Sequence, residues 1–394
     1  MSAQKTIPTP FTIDIPQDRL DKIASRVADY EWHEMPQNGG WAYGANLDYM
    51  KDLCAYWLDG FSWRKAETGL NRFPQFKAPV TIDGQTLNLH YIYEKGSGSN
   101  PQPLIIIHGW PGSFYEFMEV IEPLAHPERF GGDAEDGFDV IVPSLPGYGF
   151  SDKPANPIGP MTAAKYMNGL MTDVLGYDSY LAQGGDWGAM TTCYLGKDHT
   201  ACKAIHLNMM GFSPPAPECD MSDEEQQWRD GQRLTFEMEG AYFRLQMTKP
   251  QSLSYAMMDS PVGVAAWLVE KFNTWSHTPE DNIDNAYSKD QLLTNIMIYL
   301  VTRTFNTASW MYRGLMEEGG AGLPKGNRIE VPVGVANFPH DPLITWPKRE
   351  WAERAYNVQH WTDMELGGHF AALEQPNLYI ADVRQFFSSL RSGD

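Results

Sequence analysis

Five short, mainly apolar runs constrain this chain more than any other feature. Leu104-Ile105-Ile106-Ile107-His108 stays apolar until its last residue. Asp139 to Pro143 (DVIVP), Tyr180 to Gly185 (YLAQGG), Ala204 to Asn208 (AIHLN) and Val331 to Phe338 (VPVGVANF) are similar. A strand can be apolar on both faces only where helices cover both, as in a parallel sheet. Helix-compatible stretches separate the runs, so the alternation predicts a doubly wound α/β sheet. With 394 residues the chain is long enough for such a sheet and two or three lobes around it.

Two segments interrupt the alternation. The first is N-terminal and rich in Pro, Trp and polar residues. It should hold an amphipathic helix over Asp18–Tyr30, with Leu20, Ile23, Val27 and Ala28 on one face, and another over Leu47–Leu58. VTIDGQTLNLHYIYE then reads as a hairpin that turns at Asp83-Gly84. The second segment, roughly Gly211 to Pro324, is helical in pattern, rich in Met, Trp and Tyr, and opens with the acidic stretch ECDMSDEE. Helices inserted above the carboxyl ends of a parallel sheet would cover the ligand crevice. The expected organisation is an N-terminal meander (1–90), a first part of the core (91–212), a helical cap (213–324) and a second part of the core (325–394). No internal repeat or low-complexity stretch disturbs it.

Charge and composition narrow the function. A formal net charge of −20 argues against nucleic acid, whose phosphates need basic patches. No run reaches the ~18 apolar residues of a membrane span. The opening MSAQKTIPTPFTIDIP has neither a basic nor an apolar segment of the signal-peptide kind, so a cytoplasmic location is expected. Cys54, Cys193, Cys202 and Cys219 form no CxxC pair and lie near no zinc-like His spacing, which makes reduced thiols the expectation.

The chemistry is concentrated at Gly184-Gly185-Asp186-Trp187-Gly188, between the YLAQGG strand and a predicted helix, AMTTCYLGKDH. It has the form of a nucleophile elbow, with Asp186 where serine usually stands. The competing reading is a plain strand-to-helix turn with a capping Asp. His108-Gly109-Trp110-Pro111-Gly112 follows the first parallel strand, where hydrolases of this type place the oxyanion loop. The backbone N–H groups of Trp110 and Trp187 are the candidate oxyanion donors. Leu145 to Asp152 (LPGYGFSD) follows the next strand as a tight glycine-rich loop. His369, in Gly367-Gly368-His369-Phe370, is the candidate base. Asp341, in Phe338-Pro339-His340-Asp341, is the candidate acid that orients it, giving the order nucleophile, acid, base. Asp363 and Glu365 compete for the acid's place but lie awkwardly close before His369. His206 and His340 are expected to be structural.

A carboxylate nucleophile suits attack on an sp³ carbon, because the resulting ester can be cleaved by an activated water where an ether could not. Epoxides and alkyl halides are the matching electrophiles. An epoxide leaves as an alkoxide and needs a proton donor such as tyrosine; a halide needs only N–H donors, typically Trp or Asn.

These residues resemble the epoxide hydrolases, in particular their microsomal-type and fungal branch. PFTIDIPQDRLDKIASRV, Trp41 to Gly44 and FPQFKAPV resemble that branch's N-terminal meander. HGWPGSFYEF, LPGYGFSD, GGDWG, LLTNIMIYL and GGHFAALEQP resemble its core motifs, so the resemblance covers nearly the whole chain. It implies an α/β-hydrolase fold, a mostly parallel sheet flanked by helices, with a helical cap insertion and an N-terminal meander. It also implies two cap tyrosines that protonate the epoxide oxygen. They correspond to Tyr242 in Gly240-Ala241-Tyr242 and to Tyr312 in Trp310-Met311-Tyr312-Arg313, the latter at the end of the helix after LLTNIMIYL. Nineteen tyrosines are present, and the residues alone do not single these out. The partners implied are an epoxide and water, without cofactor or metal, and a homodimer is compatible with the family; the chain departs from the microsomal enzymes in lacking their membrane anchor, so a soluble form is expected. Trp187 also has a counterpart in haloalkane dehalogenases, which remain the alternative, although they usually carry Asn or Glu where Trp110 stands and lack the tyrosine pair. A catalytically silent binding protein is a further alternative; it has no need of all five side chains.

Overall fold

In the computed structural model, residues 7–215, 221–320, 322–323, 327–341 and 346–392 are described. Cys219, its acidic neighbours Glu218 and Asp220, and the Pro324 boundary lie outside them. Nine strands form one sheet: β1 (Thr9–Phe11), β2 (Gln75–Ile82), β3 (Gln85–Glu94), β4 (Gln102–Ile107), β5 (Phe138–Pro143), β6 (Tyr180–Gly184), β7 (Cys202–Leu207), β8 (Ile329–Asn337) and β9 (Tyr356–Asp363). Their spatial order is β1-β2-β3-β5-β4-β6-β7-β8-β9. From β5 to β9 every pairing is parallel, and each of the five apolar runs supplies a strand there. Leu104, Ile105, Ile106 and Ile107 of β4 have no exposed surface, and β5 is buried throughout. Burial on both faces is the reason these segments carry no alternation.

The N-terminal strands extend this sheet by antiparallel pairing, β3 lying against β5. The β2–β3 hairpin turns at Asp83 and Gly84, whose φ angles are 48° and 83°. Two positive φ values match the twist of a two-residue hairpin turn, which explains Asp-Gly there. Before it lie α1 (Gln17–Ala28), α2 (Leu47–Asp59) and α3 (Trp63–Leu70). α1 buries Leu20, Ile23 and Val27 as its periodicity predicts, but it stops at Ala28, which is exposed, two residues short of the expected end. The connections within the parallel part contain α4 (Ile121–Ala125), α5 (Pro160–Gly169) and α6 (Asp186–Asp198).

Between β7 and β8 the regular elements among the described residues are helices, α7 (Asp223–Glu239), α8 (Ala241–Thr248), α9 (Pro250–Met257), α10 (Pro261–Thr274), α11 (Lys289–Thr302) and α12 (Phe305–Glu317), with two short 3₁₀ turns. Ser288 and Gln291 close a capping box at the start of α11. Hydrogen bonds seat this insertion on the core. Thr307 donates to the Gly147 carbonyl and Tyr148 to that of Ala308, so the LPGYGFSD loop is bonded to α12. Glu318 accepts from the N–H groups of Gly159, Met161 and Thr162, which caps α5 from the end of the insertion. The chain closes with α13 (Arg349–Ala352), α14 (Ala371–Glu374) and α15 (Pro376–Ser392). Among the described residues no helix is long and apolar enough to cross a membrane, and Cys54, Cys193 and Cys202 are buried free thiols.

Candidate active site

β6 ends at Gly184 and α6 begins at Asp186, so the chain reverses over Gly185. Asp186 has φ 49°, a left-handed backbone that a non-glycine residue adopts at some cost. Gly188 makes the turn sterically possible, since a Cβ there would stand 1.8 Å from the Ile107 carbonyl oxygen on β4. The N-cap of α6 is Gly185 and Asp186 is the first residue of the helix, so Asp186 does not hold the cap position. Its Oδ1 instead accepts from the Trp110 N–H at 2.7 Å. Gly109 is required beside it, because a Cβ on residue 109 would come within 2.1 Å of that same oxygen. The Trp187 amide is in the first turn of α6, where N–H groups have no intrahelical acceptor. It therefore remains available to a charge developing on Asp186.

His369 reaches this carboxylate from the loop after β9. Its Nε2 lies 3.4 Å from Asp186 Oδ2, and its Nδ1 lies 2.8 Å from Asp341 Oδ2. Both side chains of the His369–Asp341 pair are almost wholly buried. Burial disfavours an imidazolium here, yet the carboxylates of Asp341 and Asp186 outweigh it and hold the His369 pKa well above its ordinary value. Asp363 and Glu365 are exposed; Asp363 is bonded to Asn337 and Trp361. Of the three candidate acids, only Asp341 pairs with the histidine. His206 is buried on Asp382, and His340 stacks on His277 at 3.9 Å.

Sequence reasoning missed the residue that holds this loop. Glu374 accepts from the N–H groups of Gly368 and Phe370, the neighbours of His369, at 2.9 Å each, and from that of His277 at 2.8 Å. The His369 N–H itself donates to the Trp275 carbonyl at 2.8 Å. The loop carrying the imidazole is thus bonded to the residues following α10. Burial pushes the Glu374 carboxyl up to about 7, against the pull of those three N–H groups. A Glu five residues after a histidine has no local signature; its role depends on how the loop folds back.

The two tyrosines arrive from separate helices. Tyr242 is in the first turn of α8, and Tyr312 is in the middle of α12, not at a helix end as expected, because α12 continues to Glu317. Their rings meet edge to face at 5.9 Å. Trp110 stacks on Tyr242 at 5.2 Å and meets Tyr312 edge-on at 5.8 Å, so its side chain orients both. Trp187 contacts Tyr312 at 4.6 Å. Both hydroxyls are held well above the ordinary phenol pKa. Burial is the main cause; the Asp186 charge adds to it, behind that of Tyr242 in the case of Tyr312. Both therefore stay protonated and can donate. A cavity of about 480 Å³ is lined by Asp186, His369, Tyr242 and Tyr312, with Phe236 and Leu315 among its apolar walls. Asp186, His369, Asp341, Tyr242, Tyr312, Trp110 and Trp187 thus converge at one site.

Comparison with known proteins identifies the family and the fold. The family described as epoxide hydrolase N terminus matches residues 8–117, and the α/β hydrolase fold family matches residues 102–376. A relative in Stigmatella aurantiaca is 39% identical over 388 residues, covering 98% of this chain and 86% of the relative. Epoxide hydrolase 1 of Sus scrofa is 30% identical over 417 residues, covering 97% and 88%. The structure of Aspergillus niger epoxide hydrolase superposes with a TM-score of 0.83 at 30% identity, covering 98% of each chain. Matched in sequence and structure along nearly its whole length, the chain belongs to the epoxide hydrolase family of the α/β-hydrolase superfamily.

Proposed function

We propose that the chain converts an epoxide into a vicinal diol through an ester on Asp186. One observation carries this reading: a carboxylate held between an amide donor and an imidazole shares an apolar cavity with two protonated tyrosines. With Oδ1 engaged by Trp110, Oδ2 is the attacking oxygen. It opens the ring at carbon while Tyr242 and Tyr312 bind the departing oxygen and one of them supplies its proton. Ester formation removes the Asp186 charge, and with it part of what keeps His369 protonated. The proton released by the imidazolium restores the tyrosine, and His369 becomes a base. A water then loses a proton to His369 and attacks the ester carbonyl, whose developing oxyanion lies at Oδ1 against the amides of Trp110 and Trp187. Collapse releases the diol and returns the carboxylate–imidazolium pair. Residues 213–324 act as the cap that encloses substrate, between core segments 91–212 and 325–394, with 1–90 as the meander.

The test is a single turnover in ¹⁸O-water with enzyme in excess over a styrene-oxide-type substrate. The first diol should carry oxygen from Asp186 and little label, and the label should enter the carboxylate. Full label in that diol would mean direct attack by water, and the ester route would be wrong.

The tyrosines make a second prediction. Tyr242→Phe and Tyr312→Phe each remove a hydroxyl and little volume. Each single variant should lose alkylation rate by up to ~10²–10³-fold, the typical cost of one donor to a developing oxyanion. The double variant should be nearly inactive, with non-additive losses because both groups serve one atom. Ester hydrolysis, timed after alkylation, should change far less. One observation favours the haloalkane dehalogenase alternative: the Trp187 indole is buried against Tyr312 in the wall of the cavity, placed to donate its N–H to a halide. Diol formation against halide release on matched substrates separates the two, and full alkylation by an epoxide in the double Phe variant would restore that alternative.

A further inference from the structure

A second cavity, of about 10 Å³, also touches Asp186 and His369, on the side of the HGWPG loop. It has room for about one water molecule, and a buried water needs two or more polar partners. Most polar groups around it are already engaged. His108 accepts the Leu145 N–H at Nε2 and directs Nδ1–H to the Gly109 carbonyl; burial pushes its pKa down to about 4, so it is neutral with no free lone pair. Tyr379 donates to Gln183, whose amide donates to Asn208 Oδ1 at 2.7 Å. The Trp110 N–H is used by Asp186. The Nε2 of His369, 3.4 Å from Asp186 Oδ2 but outside hydrogen-bonding geometry, and the carboxyl of Glu116, which the Ser113 backbone also engages, line the same space.

The position of Glu116 is specific. Its Oε1 would lie 1.4 Å from a Cβ built on Gly112, so the carboxyl fills the volume of the side chain that the loop glycine lacks. Burial pushes this carboxyl up to about 8, with His369 lowering it and Asp186 raising it. The steps described above do not use it.

We propose that Glu116 is a catalytic residue of the second half-reaction, holding the hydrolytic water with His369 Nε2 in this small cavity. The proposal rests on the ester reading above. One water proton passes to His369 as the water oxygen bonds to the ester carbonyl carbon. The other stays on oxygen, hydrogen-bonded to Glu116, which exchanges no proton. Collapse breaks the bond from the carbonyl carbon to the alkyl oxygen, and that oxygen takes the proton from His369. The acid proton left on Asp186 then passes to His369, restoring the pair. The water approaches from this small cavity, leaving the larger one to the alkyl group.

Stopped alkylation and hydrolysis should be measured separately on the full chain by intact-protein mass spectrometry. Glu116→Leu should be alkylated within about threefold of the wild-type rate but hydrolyse its ester ~10²-fold more slowly, the typical result of misplacing a reactant. Glu116→Gln keeps an acceptor and should fall between the two. Gly112→Ala leaves Glu116 in the chain but drives its carboxyl from its place, and it should also accumulate ester; it carries the test if Glu116→Leu does not fold. Unchanged hydrolysis in Glu116→Leu or, failing that, in Gly112→Ala would overturn the role of Glu116 while leaving the ester reading intact. Equal slowing of both steps would mean that Glu116 only supports the Trp110 loop, and would overturn it too. If no ester appears even in His369→Ala, the reading beneath the proposal fails.

Discussion

Asp186→Asn should add no substrate mass in the first turnover and lose ~10⁴-fold or more of its diol formation, the scale on which loss of a nucleophile is felt. Asparagine is the informative replacement. The residue sits at φ 49°, and Asn tolerates the left-handed region nearly as well as Asp, so the turn over Gly185 should survive. The Trp110 N–H keeps an oxygen acceptor at 2.7 Å. What disappears is the charge and nucleophilicity of Oδ2, together with one of the two carboxylates that hold His369 protonated. An unchanged thermal transition and circular dichroism spectrum would show that only chemistry was lost. Normal turnover, or alkylation of another residue in the peptide map, would remove Asp186 from the mechanism.

His369→Ala should have the opposite signature, becoming alkylated and then stopping. General-base assistance is worth ~10²–10⁴-fold, so the ester should persist long enough to be found on the peptide containing Asp186. The imidazole pairs with Asp341, and removing it takes one charge-assisted interaction from a buried carboxylate. Breaking a buried pair in this way costs ~3–5 kcal/mol, so His369→Gln, whose amide can still donate to Asp341, is the companion variant. The pH dependence of the wild-type protein should divide in the same way. In the free protein two carboxylates raise the His369 pKa; in the ester only Asp341 remains charged, so the pKa falls. Hydrolysis requires the neutral imidazole and should slow as pH drops through that lowered value. A variant without His369 that turns over at the wild-type rate, or that is folded but never alkylated, would contradict this division of labour.

How much could be read in advance differs from element to element. Ile105 and Ile106 lie in a strand buried on both faces, and a continuous apolar run is the direct expression of that environment. The elbow was legible for a similar reason, since Gly188 answers a clash with the adjacent strand and Asp83-Gly84 answers a turn geometry. These are short-range demands on the backbone, and each leaves its mark at its own position in the chain.

The acid and the tyrosines were legible only in part. Asp341 and Asp363 both follow or end strands at neighbouring positions, β8 beside β9, and local pattern does not say which carboxylate the His369 loop will face. Nineteen tyrosines offer no periodicity that selects Tyr242 and Tyr312; the resemblance did, and the packing of α8 and α12 around Trp110 explains why those two rings meet. Glu374 and Glu116 lie inside the motifs GGHFAALEQP and HGWPGSFYEF, but nothing in their local pattern assigns either of them a role. By itself the sequence determined the parallel sheet, the helical insertion and the turn that presents Asp186, because backbone sterics and burial act residue by residue. Which acid holds the imidazole, how the tyrosine rings meet over the nucleophile and which carboxyls gather behind it depend on the folded chain, because those contacts join helices and loops far apart in sequence.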